Sequence, residues 1–194
     1  MKKIKNLVCV VLSLGLLTSC ISVRKNNVPN ITDVKLKTSS TKKSKVFLDW
    51  NFYSNISKQS VVDELKSSQT NMLSEAIKES GCCEIVSEKD EADVVIHGGY
   101  YAESNYTALV FAAITGLSLY TIPSWMNEKM KISAEVVKNK TTKNYVVEDS
   151  MFMSQWLPFI LAVPFDTNPI KKESMIQKNL YKNLLVNMKN DKII

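Results

Sequence analysis

The chain contains little of what most active sites and metal centres require. A single histidine, His97, occurs among 194 residues, which excludes a zinc site built from several histidines. His97 lies in an apolar stretch, where a structural histidine is more typical than a catalytic base. The sequence has no nucleophile elbow, phosphate-binding loop or H-E-x-x-H motif. We therefore predict no catalytic residues, no cofactor and no metal.

Cysteine is also scarce, and two of the four cysteines, Cys82 and Cys83, are adjacent. A disulfide between neighbouring residues closes a small ring that is strained against normal disulfide geometry. No histidine or further cysteine accompanies the pair at the spacing of a zinc site. We predict that both are small apolar core residues, with a redox or intermolecular role as the alternative.

The N-terminus carries a pattern typical of secretion. Met1–Lys5 is basic, the run from Leu7 to Leu17 is apolar, and small residues follow. The apolar run is too short to span about 30 Å of hydrocarbon. Leu17-Thr18-Ser19-Cys20 resembles the lipobox of bacterial lipoproteins. That resemblance implies that residues 1–19 are a cleaved signal and that Cys20 receives a diacylglycerol and an N-terminal acyl chain. The alternative is an ordinary or uncut signal with an incidental cysteine.

Residue types around Cys20 indicate location and partners. Ile21 follows Cys20, whereas an Asp there favours inner-membrane retention in Gram-negative lipoproteins, so the resemblance implies the outer membrane, facing the periplasm. The formal net charge of +6 falls to +3 when Lys2, Lys3 and Lys5 leave with the signal. That charge is too small to indicate a nucleic-acid partner. The predicted partners are the membrane, through the lipid on Cys20, and an envelope protein.

Cleavage leaves 175 residues, enough for one domain with a core. Residues 20–44 are polar and basic, which predicts a lipidated N-terminus and a flexible tether reaching on the order of 25–30 Å as a coil. Residues 45–194 are predicted to form a single α+β domain.

Strand and helix patterns alternate along this domain. Strands are predicted at Val46–Tyr53, Cys83–Val86, Ala92–Tyr101, Lys131–Val137 and Lys143–Asp149, and helices from about residue 60 to the stop at Gly81 and from about Pro169 onward. Alternation places Ile132, Ala134 and Val136 on one face, and the polar turn at residues 139–142 predicts that the last two strands form a hairpin. The last helix carries an apolar stripe made of Ile176, Leu180, Leu184 and Met188. This order of strands and helices predicts an antiparallel sheet of four to five strands with two helices on one face. The phrase from Gly81 to Ile96 resembles, in layout, small α+β envelope-assembly lipoproteins such as those of lipopolysaccharide assembly and curli secretion. The resemblance implies a fold of this kind and transfers no functional residue.

Two apolar segments stand out within the domain. Residues 108–126 contain no charged residue, and residues 156–165 form a second, proline-bearing segment. A membrane span is disfavoured by Pro123 and by the predicted strands on both sides of the first segment. The segments either bury each other or form an exposed surface for the leaflet or a partner, and we favour the surface. The residues predicted to make this contact are Leu119, Ile122, Trp125, Trp156, Phe159 and Ile160.

These features predict a non-catalytic, lipid-anchored envelope protein that binds or scaffolds another envelope component. The alternative is a hydrolase, or a protein that handles a lipid or cell-wall ligand, with its site between the two apolar segments. An apolar cavity of several hundred Å³ at that place would favour the alternative. A protruding or flat apolar surface would favour the first function.

Overall fold

The computed structural model describes residues 20–37, 43–55, 59–159 and 169–194. The predicted signal at residues 1–19 lies outside this part of the chain. Residues 38–42 of the predicted tether lie outside it as well, and so do residues 160–165 of the second apolar segment, including Ile160.

Six strands and three helices longer than one turn form the described fold. The strands are β1 (Cys20–Arg24), β2 (Ser44–Ser54), β3 (Cys83–Ile85), β4 (Val94–Ser104), β5 (Ser124–Lys138) and β6 (Thr141–Gln155). The helices are α1 (Gln59–Ser80), α2 (Tyr106–Leu117) and α3 (Pro169–Asn190), with short helical turns at Asp33–Leu36 and Lys89–Glu91.

The strands form one sheet in the order β1-β6-β5-β4-β2-β3. The α+β class is thus confirmed, but the sheet is mixed rather than antiparallel, because β2 pairs in parallel with both β3 and β4. A parallel neighbour requires a crossover of a dozen residues or more, and the 22-residue helix α1 supplies it. The sheet has six strands instead of four to five, and α2 is a third helix where two were predicted.

The hairpin of β5 and β6 agrees with the prediction from alternating residues. Asn139 and Lys140 both have positive φ, 49° and 65°, as a two-residue type I′ turn requires. The three residues predicted to share one face, Ile132, Ala134 and Val136, are all buried.

Contacts group the chain into two compact units. The described residues of unit 1 are 20–25, 104–128, 150–159 and 169–174, and those of unit 2 are 26–37, 43–55, 59–103, 129–149 and 175–194. The core of unit 2 includes the predicted stripe of α3, Ile176, Leu180, Leu184 and Met188, all of which are buried.

A buried chain of polar side chains crosses the core of unit 2. Trp50 Nε1 donates to the Tyr181 hydroxyl at 3.2 Å, and that hydroxyl donates to Gln69 Oε1 at 2.8 Å. Gln69 Nε2 in turn donates to Gln177 Oε1 at 3.2 Å. Burial raises the pKa of Tyr181. These bonds satisfy groups that would otherwise be costly to bury, and they tie β2, α1 and α3 together.

Residues 20–37 differ from the flexible tether predicted. Cys20–Arg24 is a paired strand, and Leu36 is buried. The Ile31 amide donates to Asn179 Oδ1 at 2.8 Å, and the Nδ2 atoms of Asn179 and Asn183 each donate to the Pro29 carbonyl at 3.0 Å. Polar composition suggested solvation, but side-chain amides of α3 satisfy this backbone instead.

Helix α1 ends as predicted at Gly81, whose φ of +66° is left-handed. Cys82 and Cys83 follow, and both are buried, which confirms their predicted place in the core. The two cysteines also form a disulfide with each other, a bond that the small ring between neighbouring residues disfavours. Cys82 lies in the bend before β3 rather than in an extended strand, where successive side chains would point to opposite faces.

Candidate functional site

The first apolar segment is not one continuous helix. Asn105 caps α2, its side chain accepting a hydrogen bond from the Thr107 amide at 3.0 Å, a preferred N-cap arrangement. The helix ends at Leu117, and Leu119 and Tyr120 have positive φ values of 51° and 62°. A short loop then leads into β5. No helix among the described residues combines the length and apolar character needed to cross a membrane.

Most of the side chains of α2 and its following loop are apolar and exposed. Within α2, Ala108 and Thr115 are the residues that are buried, whereas Leu117 is 87% exposed and Leu119 is 64% exposed. We call the following exposed residues of unit 1 the apolar surface: Leu109, Val110, Phe111, Ile114, Leu117, Leu119, Ile122, Trp125 and Trp156.

The structure brings most of the predicted contact residues to this surface. Leu119, Ile122, Trp125 and Trp156 are all exposed. Phe159 is half-buried, with its ring edge-on to Trp156 at 5.8 Å between centroids. Ile160 lies outside the described residues. The two apolar segments meet where the Leu157 amide donates to the Tyr120 carbonyl at 2.8 Å.

Polar groups of the loop after α2 are satisfied within the loop and helix. The Tyr120 amide donates to the Thr115 carbonyl at 2.8 Å, and Thr121 Oγ1 donates to the Ser118 carbonyl at 2.7 Å. Ser118 Oγ donates to the Thr115 carbonyl and accepts from the Ile122 amide, at 3.0 and 3.2 Å. Such internal pairing lets backbone enter a region poor in water at lower cost. The loop therefore presents apolar side chains on a largely self-satisfied backbone.

Cys20, the predicted lipidation residue, lies in the same unit as the apolar surface. It is the first residue of β1 and pairs with Gln155 at the end of β6. Burial raises the pKa of the Cys20 thiol, partly offset by a hydrogen bond with the Gln155 side chain. Cys20 is a free cysteine.

Two small cavities lie between α2 and the neighbouring strands. One has a volume of about 110 Å³ and is lined by Ala108, Leu109, Ala112, Ser124, Trp125, Met126, Met153 and Gln155. The second, of about 140 Å³, shares Ala108, Trp125 and Met126 with the first. Gln155 thus touches both Cys20 and the first cavity. This proximity of Cys20 to α2 is not visible in the sequence.

Unit 1 also contains a carboxyl group of unusual acidity. Burial, and to a lesser extent the negative charge of Glu173, raise the pKa of Glu128 to about 7. The protonated, uncharged form of a carboxyl group costs less to bury than the carboxylate, and this difference is what raises the pKa here.

A larger cavity, of about 480 Å³, lies in unit 2 at the ends of β2 and β4. Its lining includes Tyr53 and Tyr101, whose rings stack at 4.6 Å between centroids. The Lys131 ammonium lies 5.7 Å from the centre of the Tyr101 ring. Asp63 and Glu103 also line it. Sequence patterns did not indicate this cavity, which depends on the parallel pairing of β2 with β4.

The histidine treated as structural in the sequence is exposed on the sheet of unit 2. His97 Nδ1 lies 2.7 Å from Asp49 Oδ2, and both side chains are about half exposed. Asp49 and His97 are directly paired across β2 and β4. Among the described residues there is no cluster of three or more potential metal ligands.

No known protein family matches the chain, and no curated protein sequence matches it. Among solved structures, the dodecamer of a PelC variant from Paraburkholderia phytofirmans is similar with a TM-score of 0.30 and 12% identity. That match covers 86% of this chain and 95% of the other. A likeness of this degree does not establish a shared function.

Proposed function

We propose that the protein is a non-catalytic, lipid-anchored lipoprotein of the cell envelope, at the outer membrane and facing the periplasm. Cys20 carries the lipid, and the apolar surface contacts the same leaflet. The remainder of the chain binds or scaffolds an envelope component.

One observation carries this proposal: Cys20 and the apolar surface belong to the same compact unit and meet through Gln155. A lipid attached at Cys20 therefore brings α2 to the membrane without any rearrangement. Exposed apolar patches are rare in monomeric soluble proteins unless they make contacts. Trp125 and Trp156 lie on this surface, as aromatic residues do at membrane interfaces.

The self-satisfied loop after α2 supports a membrane contact over a solvent-exposed role. Leu119 and Ile122 project from a loop whose polar groups bond to one another, so inserting these side chains does not strip unpaired backbone of water. Each fully buried side chain of this size contributes about 1.5–3 kcal/mol. A few such side chains would increase the membrane affinity that several acyl chains already provide.

The alternative, a hydrolase or a protein handling a lipid or cell-wall ligand between the apolar segments, requires a cavity of several hundred Å³ there. Two cavities lined by described residues of α2 measure about 110 and 140 Å³. We favour surface contact because the side chains of the apolar surface are exposed.

Metabolic labelling combined with fractionation tests the anchor. Wild-type protein made in cells fed radiolabelled palmitate should carry the label and sediment with outer membranes. Cys20→Ala should carry none, because Cys20 is the cysteine that follows the lipobox residues. Cys83→Ala is the matched control and should stay labelled. Equal label on Cys20→Ala would refute the anchor.

The contact partner is tested separately from the anchor. The proposal places binding of the envelope component outside unit 1. Crosslinking of intact envelopes, followed by purification, should therefore recover the same envelope proteins with the wild type and with the apolar-surface variant Leu119→Lys. Loss of a specific crosslinked protein in Leu119→Lys would instead place that protein on the apolar surface and contradict its assignment to lipid.

A further inference from the structure

The register of β1 and β6 determines where a lipid on Cys20 begins. Cys20 pairs with Gln155, and Ser22 pairs with Met153. Directly paired residues project to the same face of a sheet, so Cys20, Met153 and Gln155 share a face. Met153 and Gln155 both line the cavity of about 110 Å³ beside α2. A chain attached to Cys20 thus starts at the edge of that cavity.

The lining of this cavity suits hydrocarbon. Apart from Ser124 and Gln155 it consists of apolar residues, those of α2 being Ala108, Leu109 and Ala112. Methionine is unbranched and adaptable, and it fills irregular apolar space well; Met126 and Met153 supply this property here. The small side chains of the alanines leave the space open.

The size of the cavity limits what it can hold. Its volume of about 110 Å³ corresponds to roughly four water-sized volumes of about 30 Å³ each, and a methylene group is of similar size. The space accepts the first few carbons of one acyl chain and not a whole chain. The rest of that chain would continue along the apolar surface into the leaflet.

We propose that the groove between α2 and the end of β6 holds the first carbons of an acyl chain carried by Cys20. This inference rests on the lipidation proposed above. Since Cys20 is already held in a paired strand, the lipid leaves the protein in one direction. The anchor then fixes the orientation of unit 1 on the membrane, in contrast to an anchor on a flexible tether.

Photocrosslinking within the full-length lipoprotein tests the groove. Cells that modify lipoproteins are fed a fatty acid with a diazirine near its carboxyl end, and the purified protein is irradiated in nanodiscs of unmodified phospholipid. Intact mass first establishes that the acyl chains are present. Mass spectrometry of peptides then locates the crosslinks. We expect them at Leu109, Ala112 and Met153, which line the groove, in preference to Val110 and Ala113, which are exposed on the same helix.

Two neighbouring positions of α2 provide a matched pair of variants. Ala112→Phe fills the groove and should lower the yield of crosslinks to Met153 by about tenfold. Ala113→Phe adds the same ring to the exposed position beside it and should leave that yield unchanged.

The outcomes separate this inference from the proposed function. An acylated protein whose crosslinks go to phospholipid or to Val110 and Ala113 would overturn the groove and leave the anchor intact. A protein without acyl mass would overturn both. If Ala112→Phe does not fold, the crosslink map of the wild-type protein still tests the groove, because Met153 lines the groove from β6, on the side facing α2.

Discussion

Replacing Leu119 by lysine separates a contact surface from a core. Leu119 is 64% exposed, and complete burial of a leucine side chain stabilises by about 1.5–3 kcal/mol. Insertion into a leaflet therefore gains roughly 1–2 kcal/mol at this residue. Lysine loses this gain and adds a modest cost, since near an interface its ammonium snorkels to water. We expect a total loss of about 2 kcal/mol, or roughly 30-fold weaker binding.

The assay is the partition of unlipidated protein, carrying Cys20→Ala, into vesicles of zwitterionic phospholipid. Uncharged vesicles remove the attraction that a new lysine would feel for anionic headgroups. Val146→Lys is the matched control, because Val146 is 60% exposed but lies in unit 2. It should bind as well as the parent protein does.

Thermal unfolding completes this test. At an exposed position the free energy of unfolding should change by no more than about 0.5 kcal/mol. The backbone strain is unchanged, because leucine and lysine share the same Cβ at the positive φ of Leu119. A loss of several kcal/mol, as expected for a buried charge, would show that the apolar surface is a core. Unchanged vesicle binding would remove the membrane contact.

Further predictions concern topology, the N-terminal segment and pH. Since β4 and β5 are neighbours in the sheet, reporters fused after Tyr101 and after Asp149 should report the same compartment; opposite compartments would contradict the sheet. Asn179→Ala should lower the free energy of unfolding by about 1–3 kcal/mol and speed amide exchange at Ile31, unlike Asn187→Ala at an exposed position of α3. The pKa of Glu128 is raised to about 7 from 4.5, so the native state binds more protons, and stability should fall by at most about 3 kcal/mol as pH rises through this window. Denaturant unfolding of Glu128→Gln should lack that fall, and an identical pH profile would refute it.

Local periodicity was sufficient for several elements of the fold. Ile176, Leu180, Leu184 and Met188 follow helical spacing, and α3 buries all four. The alternation from Lys131 onward and the polar turn at Asn139 indicated the hairpin for the same reason. These patterns are readable because an amphipathic element records in its own residues which face is buried.

Local periodicity could not predict which elements distant in sequence pair with each other. The strand–helix–strand pattern around α1 is compatible with antiparallel or parallel neighbours, and the sheet placed β2 beside β4 in parallel. The short strand β1 carries little pattern of its own, and its partner β6 lies more than a hundred residues away in the chain. Asp49 and His97 meet only through the register of β2 and β4.

For the proposed site, the sequence supplies the local features and the tertiary structure decides their arrangement. Leu17-Thr18-Ser19-Cys20 and the charge-free run 108–126 are both local features. The proposed lipid anchor follows from the resemblance of the first to a lipobox, and the proposed apolar contact follows from the composition of the second. Their proximity depends on Cys20 pairing with Gln155 and on Gln155 lining the cavity beside α2. Exposure of the apolar surface likewise depends on which faces other elements cover, and residue types in one segment do not record the position of another.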